Sequence, residues 1–468
     1  MIFSSIEFLL MFLPVFLLLY WMTPQKAKNA VLLAGSLIFY AMGEPEYLVL
    51  LMMSVLVNYF FGLHLGQGAK IRNREKSENK KRKKTKFETR RKVLFVTAVI
   101  LNLGVLVLFK SGVLGTSLPV GISFYTFQIL SYLIDVYRGD EERETSFVRF
   151  ATYIIMFPQL VSGPIVTYSE VRDSLHQREF TAAGVQDGLK VFTVGLALKV
   201  LLADRIGLLW REVQVTGFES ISTPLAWLAA VAYSMKIYFD FYGYSLMAIG
   251  LGRMLGFELP ENFKNPYMTR SVRDFYRRWH STLGRWFCKY VYIPLGGNRE
   301  GEFRTVCNLL AVWFLTSVWH GSTGNFLIWG MLLWLLIVIE RQFEALGFAK
   351  LFQKKVLRLI PHIYLWLVIP VTWMCFAITD ISELQIFLGR MFGTAEGIRV
   401  SAGDWLKALK NYGLLFAVGG LACTPALRKL FRKGKDSLPG ILLLAALFWL
   451  CVWRLQVEGQ NPFMYLKF

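Results

Sequence analysis

Residues 311–340 read AVWFLTSVWHGSTGNFLIWGMLLWLLIVIE. Two apolar runs, 305–319 and 325–340, meet at a short polar break holding one histidine, His320, between Trp319 and Gly321. A bilayer core is crossed by about 20 mostly apolar helical residues. Hydrocarbon admits a backbone only where its hydrogen bonds close internally. The two runs therefore predict membrane helices that meet at a kink.

The same pattern extends outward in both directions. Apolar stretches of spanning or near-spanning length lie near 6–22, 29–42, 47–67, 93–109, 118–136, 148–166, 185–203, 224–251, 358–378, 411–424 and 439–454. The pattern predicts an all-α polytopic membrane protein of roughly 10–13 transmembrane or re-entrant helices. The shorter ones are expected to be tilted, re-entrant or buried against neighbours, and the whole of 1–468 to form a single membrane domain.

Composition agrees. Of 468 residues, 55% are hydrophobic and 18% charged, and the mean hydropathy is +0.44. Soluble domains carry about 25% charged residues, so an ordinary soluble enzyme is excluded. A net charge of +20 raises the question of nucleic acid, but the placement of the charge argues against it. Residues 70–92, KIRNREKSENKKRKKTKFETRRK, hold thirteen Lys or Arg directly between two apolar segments. Such a run, here a basic loop over 68–92, obeys the positive-inside bias and can touch anionic lipid headgroups. Lys26 and Lys28 follow the first apolar stretch and Glu44 and Glu46 the second. This alternation predicts an outside N-terminus and a cytoplasmic basic loop.

The five cysteines, Cys288, Cys307, Cys375, Cys423 and Cys451, are scattered, with no C-x-x-C pair, and read as mostly buried free thiols. The first twenty-two residues lack a basic leader and a small-residue cleavage site, and read as a retained span.

Residues 261–304, ENFKNPYMTRSVRDFYRRWHSTLGRWFCKYVYIPLGGNREGEFR, interrupt the apolar pattern. Val272, Phe275, Tyr276, Trp279, Leu283, Trp286 and Tyr290 recur at three- and four-residue intervals, with arginines between them. The spacing predicts one amphipathic Arg-rich helix over 270–292, lying at the cytoplasmic headgroup level.

Ionisable groups inside membrane segments are costly and are functional candidates by default. His320 suits general-base work on a hydroxyl or thiol; a histidine hydrogen-bonded at a helix end is the plainer alternative. His280 falls in helical register with Arg273 and Arg277, cations able to hold an anionic cofactor's phosphates beside an imidazole; a solvated face against lipid headgroups is the alternative. His64, His176 and His362 have no such company. Asp240, among Tyr238, Tyr242 and Tyr244, needs a partner. It either holds a site in place or forms a structural ion pair, with Arg253 or the Arg-rich helix as candidate counter-charge. H-E-x-x-H, G-x-S-x-G and a phosphate-binding Gly loop are all absent, which argues against a zinc or serine-triad hydrolase and against any metal.

Several stretches, taken together and in order, resemble the membrane-bound O-acyltransferase family, in its branch for alginate O-acetylation: MIFSSIEFLLMFLPVFLLLYW, LPVGISFYTFQILSYLIDVYRGD (118–140), MFPQLVSGPIV (156–166), YFDFYGYSLMAIGLGRMLGFELPENFKNPY, FYRRWHSTLGRWFCKYVYIPLGGNR, SVWHGSTGNFLIWG and the closing NPFMYLKF. The resemblance covers nearly the whole chain. It implies helices around a central tunnel, His320 as the essential catalytic histidine and His280 as a supporting one. Asp240, Arg277, Arg278, Trp319 and Asn325 are the accompanying substrate-binding candidates. It further implies acetyl taken from cytoplasmic acetyl-CoA, an exported polysaccharide as destination, an extracytoplasmic esterase-like (SGNH-type) partner, and residence in the bacterial inner membrane. Ser322-Thr323-Gly324-Asn325 stand where relatives often carry bulkier or more apolar residues after the histidine, and this leaves the substrate open. A sister branch transfers D-alanine to teichoic acids. Two readings of other classes stand beside these: a transporter or flippase with Asp240 and the arginines along its path, and a membrane scaffold for a secreted enzyme. The halves show no internal repeat of the kind many transporters carry.

Overall fold

The computed structural model describes residues 1–66, 79–161, 163–347, 357–394, 400–459 and 461. Among them the regular structure is helical, with no strand. In chain order the α-helices are α1 (Leu13–Met22), α2 (Lys28–Ala41), α3 (Leu48–Gly66), α4 (Asn79–Lys110), α5 (Ile122–Arg138), α6 (Phe147–Ile155), α7 (Phe157–Leu160), α8 (Tyr168–His176), α9 (Ala182–Ala197) and α10 (Asp204–Thr216). They continue with α11 (Thr223–Met254), α12 (Val272–Arg278), α13 (Ser281–Phe287), α14 (Glu302–His320), α15 (Gly324–Ala345), α16 (Ile360–Ala377), α17 (Ile381–Phe392), α18 (Asp404–Ala422), α19 (Pro425–Gly434) and α20 (Leu438–Glu458).

Five helical stretches among the described residues are long and apolar enough to cross a bilayer: Pro45–Gly66, Phe87–Lys110, Gly324–Ala345, Ile360–Ala377 and Leu438–Glu458. A sixth arises if α18 and α19, bent by 75°, form one span. The chain is a polytopic, all-helical membrane protein. Fewer helices span unaided than there are apolar runs, in line with the expectation that the shorter runs are tilted, re-entrant or buried. The run 148–166 is split between α6 and the short α7, with Met156 non-helical between them. The run 185–203 leaves α-geometry for a π-helical segment, Leu198–Ala203, and carries Lys190 and Lys199. α5 is only 17 residues long and is buried over nearly its whole surface, as a core helix is.

The basic run also differs from the expected loop. Residues 67–78 lie outside the described residues, but from Asn79 the chain is already helical and continues without a break to Lys110. Arg91 in this helix donates to the carbonyls of Leu65, Val136 and Tyr137. Its guanidinium thus satisfies carbonyls at the C-terminal ends of α3 and α5, where the helix dipole favours a cation.

The chain divides into two compact units, one built mainly of Met1–Phe192 and Met247–Pro260 and the other mainly of Thr193–Leu246 and Glu261–Met464. In the first, an aromatic cluster joins the π-helical segment Glu7–Phe12, just before α1, to α2 and α7: the Phe8, Phe39 and Phe157 rings lie 5.6 to 6.2 Å apart. Asn58 and Asn102 exchange amide hydrogen bonds of 3.0 and 2.7 Å between α3 and α4. In an apolar setting such a pair fixes which helix faces meet.

In the second unit α14 and α15 form a tight antiparallel pair. Gly330 permits it, because a Cβ there would collide with Ser317 Oγ. Glu340 of α15 accepts from the backbone N–H groups of Val272 and Arg273 at 2.6 and 3.1 Å. It satisfies two of the orphan donors at the start of α12 and ties that helix to the pair.

Candidate functional site

His320 is the last residue of α14. The next residue must be small, since a Cβ on Gly321 would drive into the Phe326 ring. The imidazole is 5% exposed and sits in an aromatic cage. Its ring centroid is 4.7 Å from that of Trp319, 5.0 Å from Trp329 and 5.2 Å from Phe376, all near perpendicular. Edge-to-face packing of this kind holds a ring by shape without neutralising it.

Asn325 fixes one wall of the cage. Its Nδ2 donates to the carbonyls of Cys375 and Phe376 at 3.2 and 3.0 Å, and its Oδ1 accepts from Thr323 Oγ1 at 2.5 Å. Both amide protons thus hold the end of α16, whose Phe376 ring packs on His320. Thr323 and Asn325, two of the polar residues after the histidine, make bonds within the scaffold. Asn325→Leu would leave two buried carbonyls unsatisfied, at about 1–3 kcal/mol each. A drop in midpoint of thermal unfolding, with acyl transfer reduced and the KM for donor unchanged, is the expected outcome; an unaltered midpoint would refute this role.

His280 corrects the sequence reading. The single helix expected over 270–292 is broken at Trp279 and His280: α12 ends at Arg278, and α13 begins at Ser281. A π-helical stretch, Cys288–Tyr292, follows. His280 sits in the left-handed region at φ 44°, one of two non-glycine residues with positive φ among those described, the other being Asn265. Such conformations cost about 1–3 kcal/mol and persist only where surroundings impose them. Here the segment 261–264 imposes it. Ser281 N–H donates to the Asn262 carbonyl at 2.9 Å, Lys264 N–H to the Arg278 carbonyl at 3.1 Å, and Thr282 Oγ1 to Asn262 Oδ1 at 2.6 Å.

The break turns His280 inward, to 3% exposure, instead of leaving it in register with Arg273 and Arg277. Its ring packs perpendicular to Phe241 at 4.7 Å and lies 6.3 Å from Trp319. Trp319 therefore touches both imidazoles, at the end of α14 and at the α12–α13 break. His280 lies outside the span-length helices, and burial pushes its imidazole down, to about 3. Burial thus favours its neutral form over the cation.

Arg277 and Arg278 stay at the surface end of α12, both paired with Asp274 at 2.8 Å. Asp240 is 3% exposed, and the cation in contact with it is Lys199, at 2.9 Å, in place of the expected Arg253 or an arginine of the 270–292 stretch. Lys199 also meets Asp204 at 2.5 Å. The neighbouring Phe241 is the ring that packs on His280, so this buried ion cluster sits one residue from the site.

Sequence reasoning missed Lys199, Phe241, Asn262, Trp329 and Phe376. Only Lys199 carried a visible signal, as a lysine inside an apolar run. Among the described residues no group of three or more His, Cys, Asp or Glu is placed to hold a metal ion. Cys375, Cys423 and Cys451 are buried as expected, while Cys307 is half-buried and Cys288 exposed.

Comparison with known proteins bears on what such a site does. Residues 138–379, which contain Asp240, both histidines, Trp319 and Asn325, match the family described as MBOAT, membrane-bound O-acyltransferase. A protein of Pseudomonas putida named "Probable alginate O-acetylase AlgI" is 32% identical over the whole of both chains. A "Peptidoglycan O-acetyltransferase" of Helicobacter pylori is 30% identical over 83% of this chain and 79% of its own. A "Teichoic acid D-alanyltransferase" of Bacillus subtilis is 27% identical over 48% of this chain and 59% of its own.

Proposed function

The chain belongs to the membrane-bound O-acyltransferase family, and from this premise we propose that it transfers acetyl from cytoplasmic acetyl-CoA toward an exported or cell-surface polysaccharide of alginate type. The observation that carries the chemistry is the pair of buried imidazoles on either side of Trp319. The choice of acetyl as the transferred group is supported by the relatives that match over most of the chain, whose names describe O-acetylation.

His320 is the general base. Its imidazole takes the proton of the acceptor hydroxyl as the oxygen attacks the thioester carbonyl. The C–S bond breaks, the C–O ester bond forms, and the proton leaves on the CoA thiolate as free thiol. His280, neutral and rigidly placed, orients the reacting groups by hydrogen bonding, with Trp319 setting the spacing. Arg277 and Arg278 exchange Asp274 for the donor's phosphates. Asp240, whose carboxylate is taken up by Lys199, acts by positioning Phe241 and not by touching substrate.

In this reading the protein resides in the bacterial cytoplasmic membrane, and an extracytoplasmic SGNH-type esterase-like partner receives the acetyl group or completes its transfer. The transporter alternative loses its motivation, because the carboxylate that would line a path is buried against a lysine. D-alanyl transfer keeps some support from the Bacillus relative and needs the same base.

The purified protein in proteoliposomes is given acetyl-labelled acetyl-CoA or a D-alanyl-loaded carrier protein, with and without the partner. CoA release with label in the polysaccharide or the partner supports the proposal. Transfer from the carrier protein alone would replace the acetyl reading, and no transfer from either donor would refute both.

A further inference from the structure

A cavity of about 450 Å³ lies in the second unit between α11, α16 and the bend from α18 to α19. Its walls include Val231, Met235, Trp366, Pro370, Gly420 and Thr424. The polar groups nearby are already engaged: Tyr267 Oη is within hydrogen-bond distance of Ser234 Oγ and carbonyl, at 2.8 and 3.0 Å, and Thr424 Oγ1 donates to the Leu421 carbonyl. α16 is a span-length helix and Trp366 is 49% exposed, so the wall of this cavity continues onto the face that hydrocarbon bathes.

At the other rim the chain turns by 75° into α19, PALRKLFRKG. Lys429, Arg432 and Lys433 fall at i, i+3 and i+4, which puts them on one face, and all three are exposed. Leu427, Leu430 and Phe431 form the opposite face, with Leu430 67% exposed. A short basic amphipathic helix leaving a membrane span at a steep angle lies in the headgroup plane.

We propose that this cavity and α19 form one binding site for an anionic phospholipid, the acyl chain in the cavity and the phosphate on Lys429, Arg432 and Lys433. An apolar wall accepts a hydrocarbon chain. It does not suit the pantetheine arm of CoA, whose two amides would be buried without partners at a cost of several kcal/mol. The three cations supply the charge complement, each contributing about fivefold in affinity beside a membrane surface.

The test uses the full chain in phosphatidylcholine liposomes doped with phosphatidylglycerol bearing a photoreactive acyl chain. Cross-links are expected in the peptides around 231–235 and 420–424. A Cβ at Gly420 meets nothing within 4 Å, so a side chain can leave the backbone there, and Gly420→Trp, placed to fill the cavity, should abolish them. Lys429→Gln should weaken labelling about fivefold, and the variant with all three cations replaced by Gln about a hundredfold, matched in wild type by raising salt. These cations lie on the exposed face of α19, so the second set of variants remains informative if the tryptophan disturbs folding. Labelling absent or confined to other peptides, labelling indifferent to both sets of variants, or labelling displaced by CoA would overturn the proposal. Turnover is not scored, so failure here leaves the acyl-transfer reading standing.

Discussion

His320→Ala is expected to lower the proposed acetyl transfer by about 10²- to 10⁴-fold, the range for loss of a general base, with the protein still folded in the membrane. The acceptor hydroxyl is a poor nucleophile until its proton moves, and in the proposed mechanism His320, at the end of α14, takes that proton. His320→Gln is the stricter test, since it keeps much of the side chain's volume and hydrogen-bonding capacity but has no basic nitrogen. Both variants should lose kcat with little change in the KM for acetyl-CoA, because the donor's phosphates are assigned elsewhere. The measurement is single-turnover transfer of label in proteoliposomes, beside size-exclusion profiles of each variant. Retention by His320→Gln of more than about a tenth of the wild-type rate would remove His320 from the general-base role, well short of the loss expected.

The polytopic helical class was legible because hydrocarbon imposes one backbone solution, and long apolar runs report it directly. His320 was legible for the same reason: a lone titratable group at the end of an apolar run stands out, and Trp319 came with it. The geometry at His280 was not. The apolar spacing from Val272 to Tyr290 fits a continuous helix, and nothing local in W-H-S announces a left-handed residue there. The break is imposed from 261–264, through Asn262 and Lys264, a tertiary constraint that overrides helical periodicity.

Asn325 illustrates a different limit. A polar residue beside a candidate catalytic histidine invites a substrate-binding role, yet its amide holds two carbonyls of α16. Those carbonyls lie fifty residues further on, where sequence spacing carries no information. The number of full spans marks a third limit. Apolarity marks a segment that avoids water without saying whether lipid or protein replaces it, and α5 is buried in protein.

Lys199→Met is expected to destabilise the protein by about 3–5 kcal/mol, the cost of stripping the counter-charge from buried ions. That is a large share of the 5–15 kcal/mol typical of folded domains. The side chain of Lys199 is 2% exposed and bridges Asp204 and Asp240. Without it two carboxylates face each other in a protein interior, and at least one must take up a proton or draw in water. Asp240→Asn should be far milder, because it leaves a one-to-one pair of Lys199 with Asp204. Lys199→Met combined with Asp204→Asn and Asp240→Asn should recover much of the lost stability, since none of the three clustered charges then remains. Thermal midpoints in detergent at fixed pH test this order, and a Lys199→Met midpoint equal to that of the wild type would end the argument. The local structure is shaped around the cluster: Lys199 lies in a π-helical segment, and a Cβ on Gly243 of α11 would come within 2.6 Å of the Gly195 carbonyl and 3.0 Å of Lys199 N. That close approach brings the lysine to Asp240, and Asp240 adjoins the ring that packs on His280. Any Lys199→Met protein that survives folding should therefore transfer acetyl more slowly, by an effect on kcat transmitted through Phe241.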